Sequence, residues 1–155
     1  MEWLLELLMN PYSLTALSSW FLAQVLKVLI HLYVNKKLVL ERLEGDGGMP
    51  SGHSATVSSL ATISALLCGP GSFEFAISGV LAIIVCHDAM GVRQETGKQA
   101  VVINEIIRSF ERLKENEVLE VKLKEFVGHT PVQVVVGIMI GIANALFMYY
   151  VVMGN

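Results

Sequence analysis

Residues 47–54 read GGMPSGHS and carry the strongest chemical signal in the sequence. Glycines let the backbone approach a ligand closely, and a proline favours the start of a helix. The pattern predicts a helix that begins near Ser51, and the free N–H groups around Ser51 and Gly52 would bind an anion such as phosphate. His53 would then stand beside that anion. In a simpler interpretation Ser51 or Ser54 merely caps the helix, and His53 is solvated.

A second histidine, His129, precedes Pro131 and therefore stands at the start of a later helix, as His53 does. Two imidazoles with nearby cations suit phosphoryl transfer. One histidine can attack phosphorus and hold the phosphoryl group covalently, and the other can protonate the leaving oxygen. Lysine or arginine would neutralise the oxygens of the transferred group, and the chemistry needs no metal or cofactor. The alternative is that His129 is an ordinary residue at a helix start.

The composition places this chemistry in a membrane. Of the 155 residues 54% are apolar and 16% are charged, where soluble domains carry about a quarter charged residues. Long uncharged runs alternate with densely charged ones, which is typical of a membrane protein. The net charge of −3 and the acidic residues interleaved with the basic ones argue against a nucleic-acid partner. Cys68 and Cys86 lie in apolar runs and are interpreted as core residues.

The fold expected from the apolar runs is an all-α integral membrane bundle, and residues 1–155 are expected to form one domain. About four spans are predicted, with an amphipathic helix in the charged link between the third and the fourth. The second span is rich in Ser, Thr and Ala, so we expect it to be central. The spacing of Gly137 and Gly141 predicts close helix packing, either within the subunit or in a homodimer. The predicted spans are 12–34, 51–67, 73–90 and 131–153.

The first span carries three polar residues, Gln24, Lys27 and His31, whose spacing places them on one helical face. A lysine inside a span costs about 2.5–3.5 kcal/mol on insertion scales, so Lys27 should face the bundle or a wet cavity. The alternative is that its ammonium group reaches the membrane interface.

Basic residues lie almost entirely in two links, 35–52 and 91–130, and both tails lack them. The positive-inside rule therefore places both links in the cytoplasm and both termini on the opposite side. The turn before His53 would then face the cytoplasm, together with Asp88, Arg93, Lys124 and His129.

Several stretches resemble the type 2 phosphatidic acid phosphatases, which share a helical core with vanadium-dependent haloperoxidases, and specifically a small divergent branch of that superfamily. The resemblance implies that His53 is the acid for the leaving group, that His129 is the nucleophile and that an upstream Lys and Arg hold phosphate. Lys27 is the candidate for that lysine. The shared stretches are GGMPSGHSA at 47–55, DAMGVR at 88–93, GKQA at 97–100, Asn104, LKE at 123–125 and GHTP at 128–131.

The sequence departs from the superfamily pattern at two positions, and the upstream Lys-to-Arg-Pro motif is not recognisable, because Arg42 is followed by Leu43. Leu123, followed by Lys124, stands where the superfamily has an arginine, and Gln133 stands where it has the aspartate that orients the nucleophile. Arg93, with Asp88 on the same side, is the candidate to supply the missing cation. The expected phosphate-binding residues are thus Lys27, Ser51, Gly52, Arg93 and Lys124, and the expected supporting residues are Asp88 and Gln133.

The function expected from this pattern is a metal-independent phosphatase that hydrolyses a membrane lipid phosphomonoester or pyrophosphate through a phospho-histidine. Phosphatidic acid, phosphatidylglycerol phosphate and polyprenyl phosphate are the candidate substrates. The alternative is a non-catalytic protein that binds or transports lipid phosphate and has kept only the anion pocket. A third interpretation is a structural partner in a larger membrane complex.

Overall fold

The computed structural model describes residues 3, 5–6, 9–36, 48–113, 123 and 128–154, with the backbone alone at 35, 93, 94 and 110–113. Throughout these residues the regular structure is helical, without a strand, so the all-α prediction is confirmed. The helices are α1 (Pro11–Asn35), α2 (Gly52–Cys68), α3 (Phe73–Met90), α4 (Val92–Leu113) and α5 (Pro131–Phe147), and a π-helical segment (Met148–Val152) continues α5.

Polar side chains at the residue before α1, α2 and α3 explain why these helices begin where they do. Such a residue accepts hydrogen bonds from N–H groups of the first turn, which have no partner within the helix. The starts of α1, α2 and α3 are capped in this way by Asn10, which accepts from Tyr12 N and Ser13 N, by Ser51, which accepts from Ser54 N, and by Ser72, which accepts from Phe75 N.

Helix α2 lies at the centre and packs against α1, α3 and α5, as its small residues predicted. The distribution of side chains inverts that of a soluble protein. Buried positions of α2 are mostly serines and alanines, whereas large apolar side chains cover the outer faces of the bundle. An apolar exterior around a small-residue interior is the arrangement that suits helices surrounded by lipid. Outward-facing examples are Phe21, Leu29, Ile83, Val135 and Met139.

Three described stretches are long and apolar enough to cross a membrane, namely Pro11–Val34, Phe73–Ser109 and Pro131–Val152. Helix α2 has 17 residues and is shorter than these. The fourth span therefore stays a prediction, as does the amphipathic helix that was expected in the 91–130 link.

Helices α2 and α5 approach each other closely where α5 carries Gly137 and Gly141. A Cβ atom at Gly137 would lie 2.5 Å from the carbonyl oxygen of Ser51, and one at Gly141 would collide with the Ser58 hydroxyl and the Ala55 carbonyl. Ser58 Oγ also donates a hydrogen bond to the Ile138 carbonyl at 3.3 Å. The two-glycine face thus packs within this subunit.

Alanine at either glycine of α5 should weaken the bundle. We expect Gly137→Ala and Gly141→Ala each to destabilise the protein by roughly 1–3 kcal/mol, because the added methyl group meets backbone that cannot move without separating the helices. Thermal unfolding in detergent measures the effect. Gly79→Ala is the matched control, since a Cβ there meets nothing within 4 Å. Equal midpoints for Gly141→Ala and Gly79→Ala would contradict the close contact.

Candidate functional site

The structure brings His53 and His129 together although they are far apart in the sequence. Their ring centroids lie 6.2 Å apart, with an angle of 60° between the ring planes. His53 is partly exposed in the first turn of α2, and His129 is buried just before α5, with 1% of its surface exposed. Two imidazoles at this separation can act on opposite sides of one small group.

Backbone hydrogen bonds tie the three segments around the histidines to one another. The His129 N–H donates to the Ala89 carbonyl in the last turn of α3 at 3.0 Å. The Ser51 N–H donates to the Gln133 carbonyl in the first turn of α5 at 3.1 Å. The relative positions of the two rings are therefore set by main-chain contacts.

Gln133 determines which nitrogen of His129 carries the proton. Its Oε1 atom accepts a hydrogen bond from the Thr130 N–H at 3.1 Å, and the same atom lies 3.3 Å from His129 Nδ1. Because a backbone N–H can only donate, the shared atom must be the amide oxygen, and Nδ1 must then carry the hydrogen. The lone pair of the neutral ring is left on Nε2.

Burial lowers the pKa of the His129 imidazole below its ordinary value of 6.5. The hydrogen bond to Gln133 opposes this lowering, while the charge of Lys27 and the nearby His53 add to it, and the Gly48 backbone opposes it again. His129 is thus held in the neutral form, which is the nucleophilic one, at neutral pH.

Lys27 is the predicted cation that the structure places at the histidine pair. Its side chain is 4% exposed, so it faces the interior of the bundle, and its charge acts on His129. An ammonium group in this position suits an anion held between the rings.

Ser51 and Gly52 form the start of α2, as expected. The Ser51 hydroxyl accepts from Ser54 N at 3.3 Å and from Ser54 Oγ at 2.9 Å, so it does act as a helix cap. Gly52 is the first residue of α2 and is buried. The helix start beside His53 and the cap at Ser51 are features of one arrangement, so the two interpretations of this turn do not exclude each other.

The remaining predicted residues are less closely defined. Asp88 is partly exposed in the last turn of α3, next to Ala89, whose carbonyl holds His129. Arg93 lies in the first turn of α4, but its side chain lies outside the described part of the chain, and so does the whole of Lys124. Within the described residues, no three His, Cys, Asp or Glu side chains are grouped as metal ligands.

Two carboxamides at or near the site have surroundings that sequence spacing does not reveal. Asn104 of α4 is buried and pairs with both backbone groups of Leu123, through Nδ2 to the carbonyl and through Oδ1 to the N–H, each at 3.0 Å. It thereby holds the chain six residues before His129. Gln24 of α1 lies near Gly52, and a Cβ atom there would be 3.8 Å from Gln24 Nε2. In the sequence, Asn104 was marked by its place in the shared motif, and Gln24 was marked as a polar residue within an apolar span.

Comparison with known proteins shows the family to which the chain belongs. The sequence model of a family described as "Divergent PAP2 family" matches residues 8–144. The chain is also 40% identical to the uncharacterized membrane protein YuiD of Bacillus subtilis, an alignment that covers 94% of this chain and 98% of that protein. No solved structure matches the chain.

A charge at residue 133 should change the titration of His129. In the wild type we expect a titration midpoint below 6.5, and in Gln133→Glu a midpoint higher by about one unit or more, because a carboxylate beside Nδ1 stabilises imidazolium. Histidine labelled with ¹³C at Cε1 reports the midpoint by NMR in detergent, and loss of the signal in His129→Ala assigns it.

The matched control for this titration is Gln133→Met, which removes the acceptor and should lower the midpoint further. A midpoint that is the same in all three proteins would contradict the contact. Since the unfolded chain protonates this histidine near pH 6.5 and the folded chain only at lower pH, the free energy of unfolding should fall as the pH decreases below about 6.5.

Proposed function

Because the chain belongs to the divergent PAP2 family, we propose that it hydrolyses a phosphate ester of a membrane lipid, with His129 as nucleophile and His53 as general acid and base. The observation that carries the proposal is the pair of rings 6.2 Å apart, with the buried Lys27 beside them. Each of these groups has a defined task in phosphoryl transfer.

The first step transfers the phosphoryl group to the protein. Nε2 of His129 attacks phosphorus with the lone pair that the Gln133 contact leaves on it. The bond between phosphorus and the lipid oxygen breaks, and that oxygen takes a proton from His53 as the lipid alcohol leaves. Lys27 and the first-turn N–H groups of α2 stabilise the negative charge on the transferred group.

The second step returns the protein to its starting state. Water attacks phosphorus, the bond between phosphorus and Nε2 breaks, and His53 accepts the proton from water. The products are inorganic phosphate and neutral His129. The lowered pKa of His129 supports this role, because the ring is released in the form that can attack again.

The substrate would reach the histidine pair from the membrane. The outer surfaces of the helices are apolar, so the acyl or prenyl chains of a lipid can stay in the bilayer while its phosphate enters between α1, α2 and α5. Phosphatidic acid, phosphatidylglycerol phosphate and polyprenyl phosphate are the candidate substrates.

A lipid-phosphate binding or transport protein without turnover is the second candidate function. It is favoured by Gln133, which orients His129 with a neutral amide rather than a carboxylate and so stabilises the imidazolium form less. Such a protein would keep the anion site formed by Lys27 and the start of α2.

Phosphate release from these lipids, measured in detergent with and without EDTA, separates the two functions. We expect His53→Ala to slow release by about 10²–10⁴-fold and His129→Ala to abolish both release and the labelled phosphoprotein. The phosphoprotein should be labile in acid and stable in base, as a phosphorus–nitrogen bond is. His87→Ala, at an exposed histidine, is the control.

Unchanged release in His129→Ala would overturn the proposed mechanism. Lipid phosphate that binds to the wild type without any release would instead support the second candidate function.

We further propose that the histidine pair faces the cytoplasm in a single membrane-embedded domain, with links 35–52 and 91–130 on that side and both termini on the other. The concentration of basic residues in the two links supports this orientation. In the bundle Cys68 lies at the end of α2 opposite His53, where its sulfur is 2.9 Å from the Tyr12 hydroxyl near the start of α1.

Labelling of intact cells with an impermeant maleimide tests the orientation. Cys68 as the single cysteine, in Cys86→Ser, should react from outside, because it is exposed at the opposite end from the histidines. Lys98→Cys in a chain without other cysteines should react only after permeabilisation. The reverse pattern would overturn the proposed orientation and leave the chemistry unaffected.

A further inference from the structure

The Gln24 side chain has an oxygen that nothing in the described structure satisfies. The residue is 9% exposed, and its Oε1 atom is buried and has no hydrogen-bond partner among the described residues. A buried acceptor without a donor costs free energy, and such groups in native proteins are rare enough to need an explanation. One explanation is a ligand that brings the donor with it.

Gln24 lies near the proposed phosphate site, so the phosphate of the proposed reaction could be that ligand. It lies three residues before Lys27, on the same face of α1. Its carboxamide also reaches the first residue of α2, since a Cβ at Gly52 would lie 3.8 Å from Nε2. The unsatisfied amide thus lies near the helix start beside His53, on the same face of α1 as the buried lysine.

An acceptor in this position has a different task from its neighbours. The ammonium of Lys27 and the N–H groups of α2 are donors, and they suit unprotonated phosphate oxygens. An amide oxygen is repelled by such oxygens but accepts a hydrogen bond from a P–OH group. An oxyanion without a proton leaves the amide oxygen without a hydrogen bond. Because an unpaired buried polar group costs free energy, a site of this kind discriminates strongly between similar ligands.

We propose that Gln24 is a specificity-determining residue that selects a protonated phosphate over oxyanions that carry no proton. The inference rests on the phosphate site of the proposed function and adds the protonation state of its ligand. Inorganic phosphate keeps a P–OH group throughout the neutral range, whereas a phosphate monoester loses its last proton with a pKa of about 6. At neutral pH Gln24 therefore favours the released phosphate, and it favours the monoester only in mild acid.

Inorganic phosphate and sulfate, which has the same shape but no proton near neutral pH, are the probes. Their affinities for the full chain in detergent at pH 7.5 are measured by calorimetry. We expect the wild type to bind phosphate about tenfold or more tightly than sulfate. Gln24→Met, which keeps the length of the side chain without the acceptor, should weaken phosphate about tenfold without weakening sulfate, because the removed oxygen only repels an unprotonated anion. Gln99→Met, at an exposed glutamine of α4, is the control.

A short-chain phosphatidic acid distinguishes the lipid from the free ion. The Gln24→Met effect on its affinity should appear below about pH 6 and be absent at pH 7.5. Dependence at both pH values would show that the acceptor does not depend on a P–OH group, and it would overturn the proposal.

Other outcomes also decide the question. Equal affinities of the wild type for phosphate and sulfate would overturn the proposal without any variant, as would an equal loss of both anions in Gln24→Met. Binding of sulfate that is not weakened in Gln24→Met shows that the variant is folded. If the wild type binds neither anion and releases no phosphate from lipids, the proposed function itself fails. Phosphate release without discrimination against sulfate refutes only the role of Gln24.

Discussion

The close contact of α2 with α5 is the constraint on which the candidate site depends. His53 belongs to the first turn of α2 and His129 precedes α5, so their rings can meet only if the starts of the two helices lie side by side. Gly137 permits this approach, because its missing Cβ leaves space for the Ser51 carbonyl. The hydrogen bond from Ser51 N to the Gln133 carbonyl then fixes the alignment of the helices. Packing and chemistry therefore share the same few residues.

A second constraint is electrostatic. A protein interior surrounded by lipid accommodates charge poorly, and two cations in one pocket disfavour each other. The interior resolves this by keeping His129 neutral beside the charge of Lys27. The neutral contact from Gln133 fits this balance, because a carboxylate there would favour a charged ring.

The helices and the histidine pair could be predicted from the sequence because local signals specify them. Long apolar runs mark α1, α3 and α5, and prolines or capping serines mark where helices begin. Each histidine lies beside such a start, so their meeting was predictable once the helices were taken as neighbours. The hydrogen bonds of Asn104 to Leu123 and the approach of Gln24 to Gly52 were not predictable, since each depends on backbone that is distant in the chain. Periodicity identifies the face on which a residue lies but not the atom that it will meet.

The pairing of Asn104 with Leu123 has a consequence for how such sequences can diverge. Both hydrogen bonds to Leu123 go to main-chain atoms, which every amino acid except proline offers in the same form. These two bonds are therefore independent of the side chain at position 123. A lineage can exchange an arginine for a leucine there and keep the attachment of this residue to α4. The side chain at that position can thus vary within a family while the main-chain contact is inherited unchanged.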